Sequence, residues 1–175
     1  MIPDFRAGNI EASPHYALDN SDPDTVRKTL KNVVTDLGWR CADQWFARQW
    51  AQHGGKAYTG EILRGAWYSF NADVPFCTES ETQVCHHNDL PIIFGTTATP
   101  STTQASLTTE IQKRLKAFIK NANPNASGYA TWNKTTSTAT NVLPLGAGLS
   151  VTPPGACVDF WGTAAAPFDW QMFGL

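Results

Sequence analysis

Strand-forming segments are scarce in this chain, and that scarcity restricts its possible folds more than any other feature. A free-standing α/β domain of 175 residues usually shows about four or more strand–helix units. Here only Ala66-Trp67-Tyr68-Ser69-Phe70 reads as a strand, from its aromatic content. Leu90-Pro91-Ile92-Ile93-Phe94-Gly95 is a short apolar run that periodicity assigns to neither helix nor strand. Helical signals are clearer. Ser21-Asp22-Pro23 predicts a helix start, Val26, Leu30, Val33 and Val34 share a face, and Gly38 is the expected stop. A second helix is expected over 41–53, with Ala42, Trp45, Phe46 and Gln49 on one face and Gly54-Gly55 ending it. The third runs from Ser106 to Lys120, with Leu107, Ile111, Leu115 and Phe118 as its buried stripe. Residues 1–20 and 121–156 read as loop, the latter from its Asn-Pro and Pro-Pro turn signals. Trp39, Trp45, Trp67 and the late aromatics Phe160, Trp161, Phe168, Trp170 and Phe173 are expected to pack inside. This order looks like the end of a larger fold: an α/β architecture with an incomplete sheet of few strands, plus helices and long loops.

Composition narrows the function classes. Hydrophobic residues make up 42% of the chain and charged residues 16%, a globular balance rather than a disordered one. A net charge of -2 gives no basic field for nucleic acid or an acidic membrane. No apolar run approaches the ~20 residues that span a bilayer. The start, Met1-Ile2-Pro3-Asp4-Phe5-Arg6, lacks the charged and apolar regions of a signal peptide. Four cysteines, Cys41, Cys77, Cys85 and Cys157, permit disulfides by their even number. Two N-x-S/T sequons begin at Asn125 and Asn133. Together these point to an oxidising, secretory compartment, with glycans on both asparagines. The missing leader then implies a truncated sequence.

Several segments carry a family resemblance. Cys85-His86-His87-Asn88-Asp89-Leu90-Pro91 resembles the catalytic-histidine loop of the type B carboxylesterases, the lipase and cholinesterase branch of the α/β-hydrolases, especially fungal members. Ala117 to Asn125 resembles that family's AF-x-x-x-GNPN helix end, followed by Trp132. Cys157-Val158-Asp159-Phe160-Trp161 is similar to its late Cys-x-x-Trp element, and Thr35 to Cys41 to the segment holding the partner cysteine. The resemblance covers about residues 30–161, in the family's order. It implies that residues 1–175 are a C-terminal fragment of a carboxylesterase domain.

The implied chemistry is acyl transfer. A serine attacking an ester needs a base that later returns the proton to the leaving alcohol, and imidazole, with an ordinary pKa of about 6.5, serves both steps. In α/β-hydrolases the order is Ser, then Asp or Glu, then His. A C-terminal piece would therefore hold the histidine alone. No G-x-S-x-G elbow occurs here. The resemblance assigns the base to His86. His87 departs from the family, which usually has glycine there. Asp89 is expected to support the histidine loop rather than to be the triad acid. By resemblance Cys41 pairs with Cys157, and Cys77 with Cys85, stabilising by roughly 4–5 and 2–3 kcal/mol in the chain-entropy model. The competing reading is a metal site of Cys77, Cys85, His86 and His87, though the C-x-x-C spacing usual for zinc is absent. The favoured reading has no metal and no cofactor. The substrate expected of the full-length protein is a small ester or lipid, the location secreted, and the chain alone inactive. Two other functions stay open: a non-catalytic cholinesterase-like binding or adhesion module, and a free-standing disulfide domain.

Overall fold

The computed structural model describes residues 4–146, 148–151 and 155–161. Phe168, Trp170, Phe173 and the Pro153-Pro154 turn signal lie outside the described residues. The chain divides into two compact units, residues 1–50 with 152–175 and residues 51–151.

The first unit is helical. The segment expected to be loop forms α1 (Asp4–Glu11) and a 3-10 turn, Pro14–Tyr16. Ser13 caps that turn by accepting the His15 N–H at 3.3 Å. Next comes α2 (Thr25–Thr35), which starts later than Ser21-Asp22-Pro23 suggests. Asp22 is occupied elsewhere: it accepts the Asp24 N–H at 2.9 Å and the Lys28 ammonium at 2.6 Å. Gly38 does not end the helix. Asp36–Arg40 widens into a π turn that leads straight into α3 (Cys41–Gln52). The extra residue of a π turn shifts the phase of the helical face. Within it Trp39 is exposed, and beyond it Phe46 is exposed and Trp45 only half-buried. On α2 only Val33 of the expected stripe is buried, while Val26, Leu30 and Val34 face solvent.

A hydrogen-bonded group of four side chains, three of them buried, holds this unit together. The Tyr16 hydroxyl donates to Asp36 Oδ2 at 2.8 Å and accepts the Trp161 indole N–H, while Arg40 pairs with Asp36. Burial first of all pushes the Tyr16 phenol well above its ordinary range. Next to it a disulfide joins Cys41 to Cys157, at the start of α7 (Ala156–Asp159), with 4.9 Å between Cα atoms. Tyr16, Val33, Ala156 and Trp161 complete the core.

The second unit contains a two-stranded parallel sheet. β1 (Gly60–Ile62) pairs with β2 (Leu143–Leu145) in the register Gly60↔Leu143 and Ile62↔Leu145. This corrects the strand expected at 66–70, which is irregular chain followed by a 3-10 turn, Ser69–Asn71. β2 ends at Leu145, so the ladder has no partner to continue on. The Gly65 and Ala66 N–H groups go instead to the carbonyls of Glu81 and Asn88, both at 2.7 Å. β2 itself was hidden by Pro144, which cannot donate to a ladder and suits a strand edge.

Helices α4 (Pro75–Thr78), α5 (Leu90–Phe94) and α6 (Thr102–Asn121) follow β1. Gly95, at φ 69°, closes α5. α6 opens earlier than expected because Ser101 and Gln104 form a reciprocal capping box, at 3.1 and 2.9 Å. Its buried stripe is Gln104, Leu107, Ile111 and Arg114, whereas Leu115 and Phe118 are exposed. Arg114, 1% exposed, is neutralised by Glu110 one turn earlier, donates to the Ala130 carbonyl at 2.8 Å and lies over the Tyr129 and Trp132 rings. Ala66, Ile92, Leu107, Ile111 and Leu145 form the core.

Candidate active site

The loop between β1 and α5 carries His86. Its path is fixed at both ends. A disulfide joins Cys77 on α4 to Cys85, with 5.6 Å between Cα atoms. On the far side the chain enters α5 directly at Leu90. The pairings Cys41–Cys157 and Cys77–Cys85 are those implied by the resemblance. Since Cys77 and Cys85 are bonded to each other, they offer no thiolate, and the mixed Cys/His metal reading loses its sulfur ligands.

Within the turn His86 is exposed, and its ring nitrogens hydrogen-bond to no described residue. The His87 ring packs over it, with centroids 3.7 Å apart, and meets the edges of Tyr68 and Phe70 at 5.5 and 5.6 Å. Nδ1 of His87 is buried without a hydrogen-bond partner among the described residues. The His87 backbone is left-handed, at φ 72°. Glycine adopts that conformation freely, while a side chain there costs about 1–2 kcal/mol. Ala122 shows the same substitution. It stands where the resembled helix end has glycine, and its φ is 50°.

Asp89 sits at the N-terminal end of α5, and its carboxylate makes no hydrogen bond or ion pair with a described residue. The side chains that do hold the turn are Asn71 and Asn88, neither of which stands out in the sequence. Asn71 donates to the His86 carbonyl oxygen at 2.6 Å, and Asn88 to that of Cys77 at 3.1 Å. Asn88 also offers its backbone carbonyl to Ala66, just past the carboxyl end of β1. The histidine turn is thereby fastened beyond the end of a parallel strand, where open α/β sheets bind their ligands. Under the turn lies a cleft of about 370 Å³ bounded by Trp67, Cys77, Ser80, Glu81, Asn88 and Gln104. Here Trp67 is exposed rather than part of the core.

Glu81 organises the other side of this cleft. It accepts from Ser101 Oγ at 2.6 Å and Thr103 Oγ1 at 2.7 Å and pairs with Arg64. The two hydroxyls, more than the guanidinium, hold its carboxyl below the usual range.

The two sequons differ. Asn125 is engaged on both sides of its amide: Nδ2 donates to Asn123 and to the Trp132 carbonyl, and Oδ1 accepts the Trp132 N–H at 2.6 Å. Asn133 is exposed.

No helix among the described residues is long and apolar enough to cross a membrane. A comparison with curated proteins finds no match. The family model described as "Carboxylesterase family" matches residues 6–160, and the chain belongs to that family.

Proposed function

We propose that this chain is the C-terminal portion of a secreted serine carboxylic-ester hydrolase and that it supplies the general base, His86. The observation that carries this reading is the placement of the His86 imidazole. It is exposed, with neither ring nitrogen hydrogen-bonded to a described residue, on a braced turn past the end of a parallel strand. A nucleophilic hydroxyl delivered by another stretch of polypeptide can reach such a ring, lose its proton to it, and leave the imidazolium to protonate the departing alcohol.

Two features support the idea of a portion. The two-stranded parallel sheet pairs with no further described strand, whereas parallel sheets are nearly always wide and covered on both faces. Large apolar side chains, including Trp39, Phe46, Phe94 and Ile119, face solvent. The disulfides suit an oxidising compartment. The substrate class is a small ester; Asp89, whose carboxylate forms no hydrogen bond or ion pair with a described residue, is assigned neither the role of triad acid nor that of bracing the histidine turn, which falls to Asn71 and Asn88.

The test is turnover of a soluble aryl ester by the polypeptide that joins this segment to its nucleophile. His86→Ala should lower kcat by roughly four to six orders of magnitude. Unchanged turnover overturns the assignment. If no elbow serine precedes the segment, a non-catalytic binding module of the same family is the alternative.

A further inference from the structure

Two buried carboxamides stand between the histidine turn and a more relaxed backbone. Asn88 is 2% exposed and Asn71 5%. Asn71 Nδ2 uses both its protons, one on the His86 carbonyl oxygen at 2.6 Å and one on Asn88 Oδ1. Asn88 Nδ2 donates to the Cys77 carbonyl at 3.1 Å, so the reversed amide would set acceptor against acceptor there. The Asn88 N–H donates to the Cys85 carbonyl at 3.0 Å, and its carbonyl accepts from Ala66 at 2.7 Å. Close approach makes room for this. A side chain at Gly65 would place its Cβ 2.7 Å from Asn88 Cβ.

The oxygen held by Asn71 belongs to the peptide joining His86 to His87. That peptide is in a disfavoured orientation, because His87 is left-handed at φ 72° with a full side chain. The intrinsic backbone preference of residue 87 opposes this conformation, although its ring packs on His86, Tyr68 and Phe70 and its carbonyl accepts the Leu90 N–H at 3.1 Å. Rotation to negative φ would swing the 86–87 peptide and carry the His86 ring with it.

We propose that Asn71, backed by Asn88, is a positioning residue for His86: it clamps the strained 86–87 peptide and thereby aims the imidazole. The proposal rests on the reading of His86 as the base. It makes a claim that a generic packing role does not. The clamp is needed because position 87 is not glycine, so His87→Gly should make it dispensable.

The experiment follows the His86 ring by NMR in this chain, using its proximity to Phe70, whose ring centroid is 6.3 Å away. The cross-ring NOE should vanish in Asn71→Ala and return in Asn71→Ala/His87→Gly. In the polypeptide carrying the nucleophile, kcat should fall on the order of a hundredfold in the single variant, with KM little changed, and recover in the double. Asn71→Ala retaining both the NOE and kcat overturns the clamp. So does a loss that His87→Gly fails to rescue, which would mark Asn71 as structural only. If instead His86→Ala turns over normally while the NOE pattern behaves as expected, the clamp orders the turn but the base assignment fails, and with it the clamp's catalytic meaning.

Discussion

Replacing Ala122 by glycine should stabilise the second unit. Ala122 ends α6 in the left-handed region, at φ 50° and ψ 35°, with its N–H on the Phe118 carbonyl at 2.7 Å. The position is exposed, so removing its methyl group sacrifices no packing. The left-handed conformation costs an L-residue about 1–2 kcal/mol. Against this stands the larger backbone entropy that glycine loses on folding, about 0.5–1 kcal/mol. The net expectation is a gain of about 0.5–1 kcal/mol. At ~2.1 cal/mol/K of unfolding entropy per residue, a gain of 1 kcal/mol raises Tm by about 5 °C when residues 51–151 unfold alone. It raises Tm by about 3 °C when all 175 residues unfold together. Calorimetry on the wild type, Ala122→Asn and Ala122→Gly distinguishes these outcomes and should give the order Gly, Asn, Ala, because asparagine tolerates the left-handed region better than alanine. A glycine variant no more stable than wild type refutes the strain argument at the end of α6. It would also weaken the parallel argument at His87.

Other perturbations probe other parts of the second unit. Glu110→Gln should cost about 2–3 kcal/mol in urea denaturation, since it leaves the buried Arg114 charge without its carboxylate, and adding Arg114→Met should return most of that loss. Glu81 is expected to contribute stability above the ordinary carboxylate value of 4.5, lost as pH falls through its depressed folded-state value. Glu81→Gln should accordingly flatten the acid limb of the stability curve as pH falls below the ordinary carboxylate value of 4.5, and an unchanged limb counts against the assignment. Expressed in a glycosylating host, the chain should carry its glycan on Asn133, because a sugar on Asn125 would displace hydrogen bonds to Asn123 and Trp132. Peptide mapping after deglycosylation in heavy-oxygen water reads both sites, and full occupancy at Asn125 would contradict this.

Much of the site was legible in the residue string because its motifs are local. Cys85 to Pro91 marked the histidine turn, and the AF-x-x-x-GNPN match located the end of α6. Both departures from glycine in those motifs, at His87 and Ala122, coincide with left-handed backbone. The elements read least well depend on distant partners. A strand was expected at 66–70 from aromatic content, but strand identity requires a neighbour, and β2 offers its ladder only to Gly60–Ile62. On α6 the 3.6-residue period identified Leu107 and Ile111 but not Arg114, whose burial depends on Glu110, Ala130 and two aromatic faces acting together.

What the sequence alone determined is where chemistry can reside: an imidazole in a family-like turn, a cysteine directly before it with a second eight residues earlier, and helices with recognisable caps. Local backbone preference and side-chain chemistry suffice for that. Only the tertiary structure decided how the imidazole is held, because Asn71, Gly65 and Asn88 meet at the turn from positions far apart in the chain. Their energetic weight comes from excluding water around amides that then hydrogen-bond to one another and to the His86 and Cys77 carbonyls.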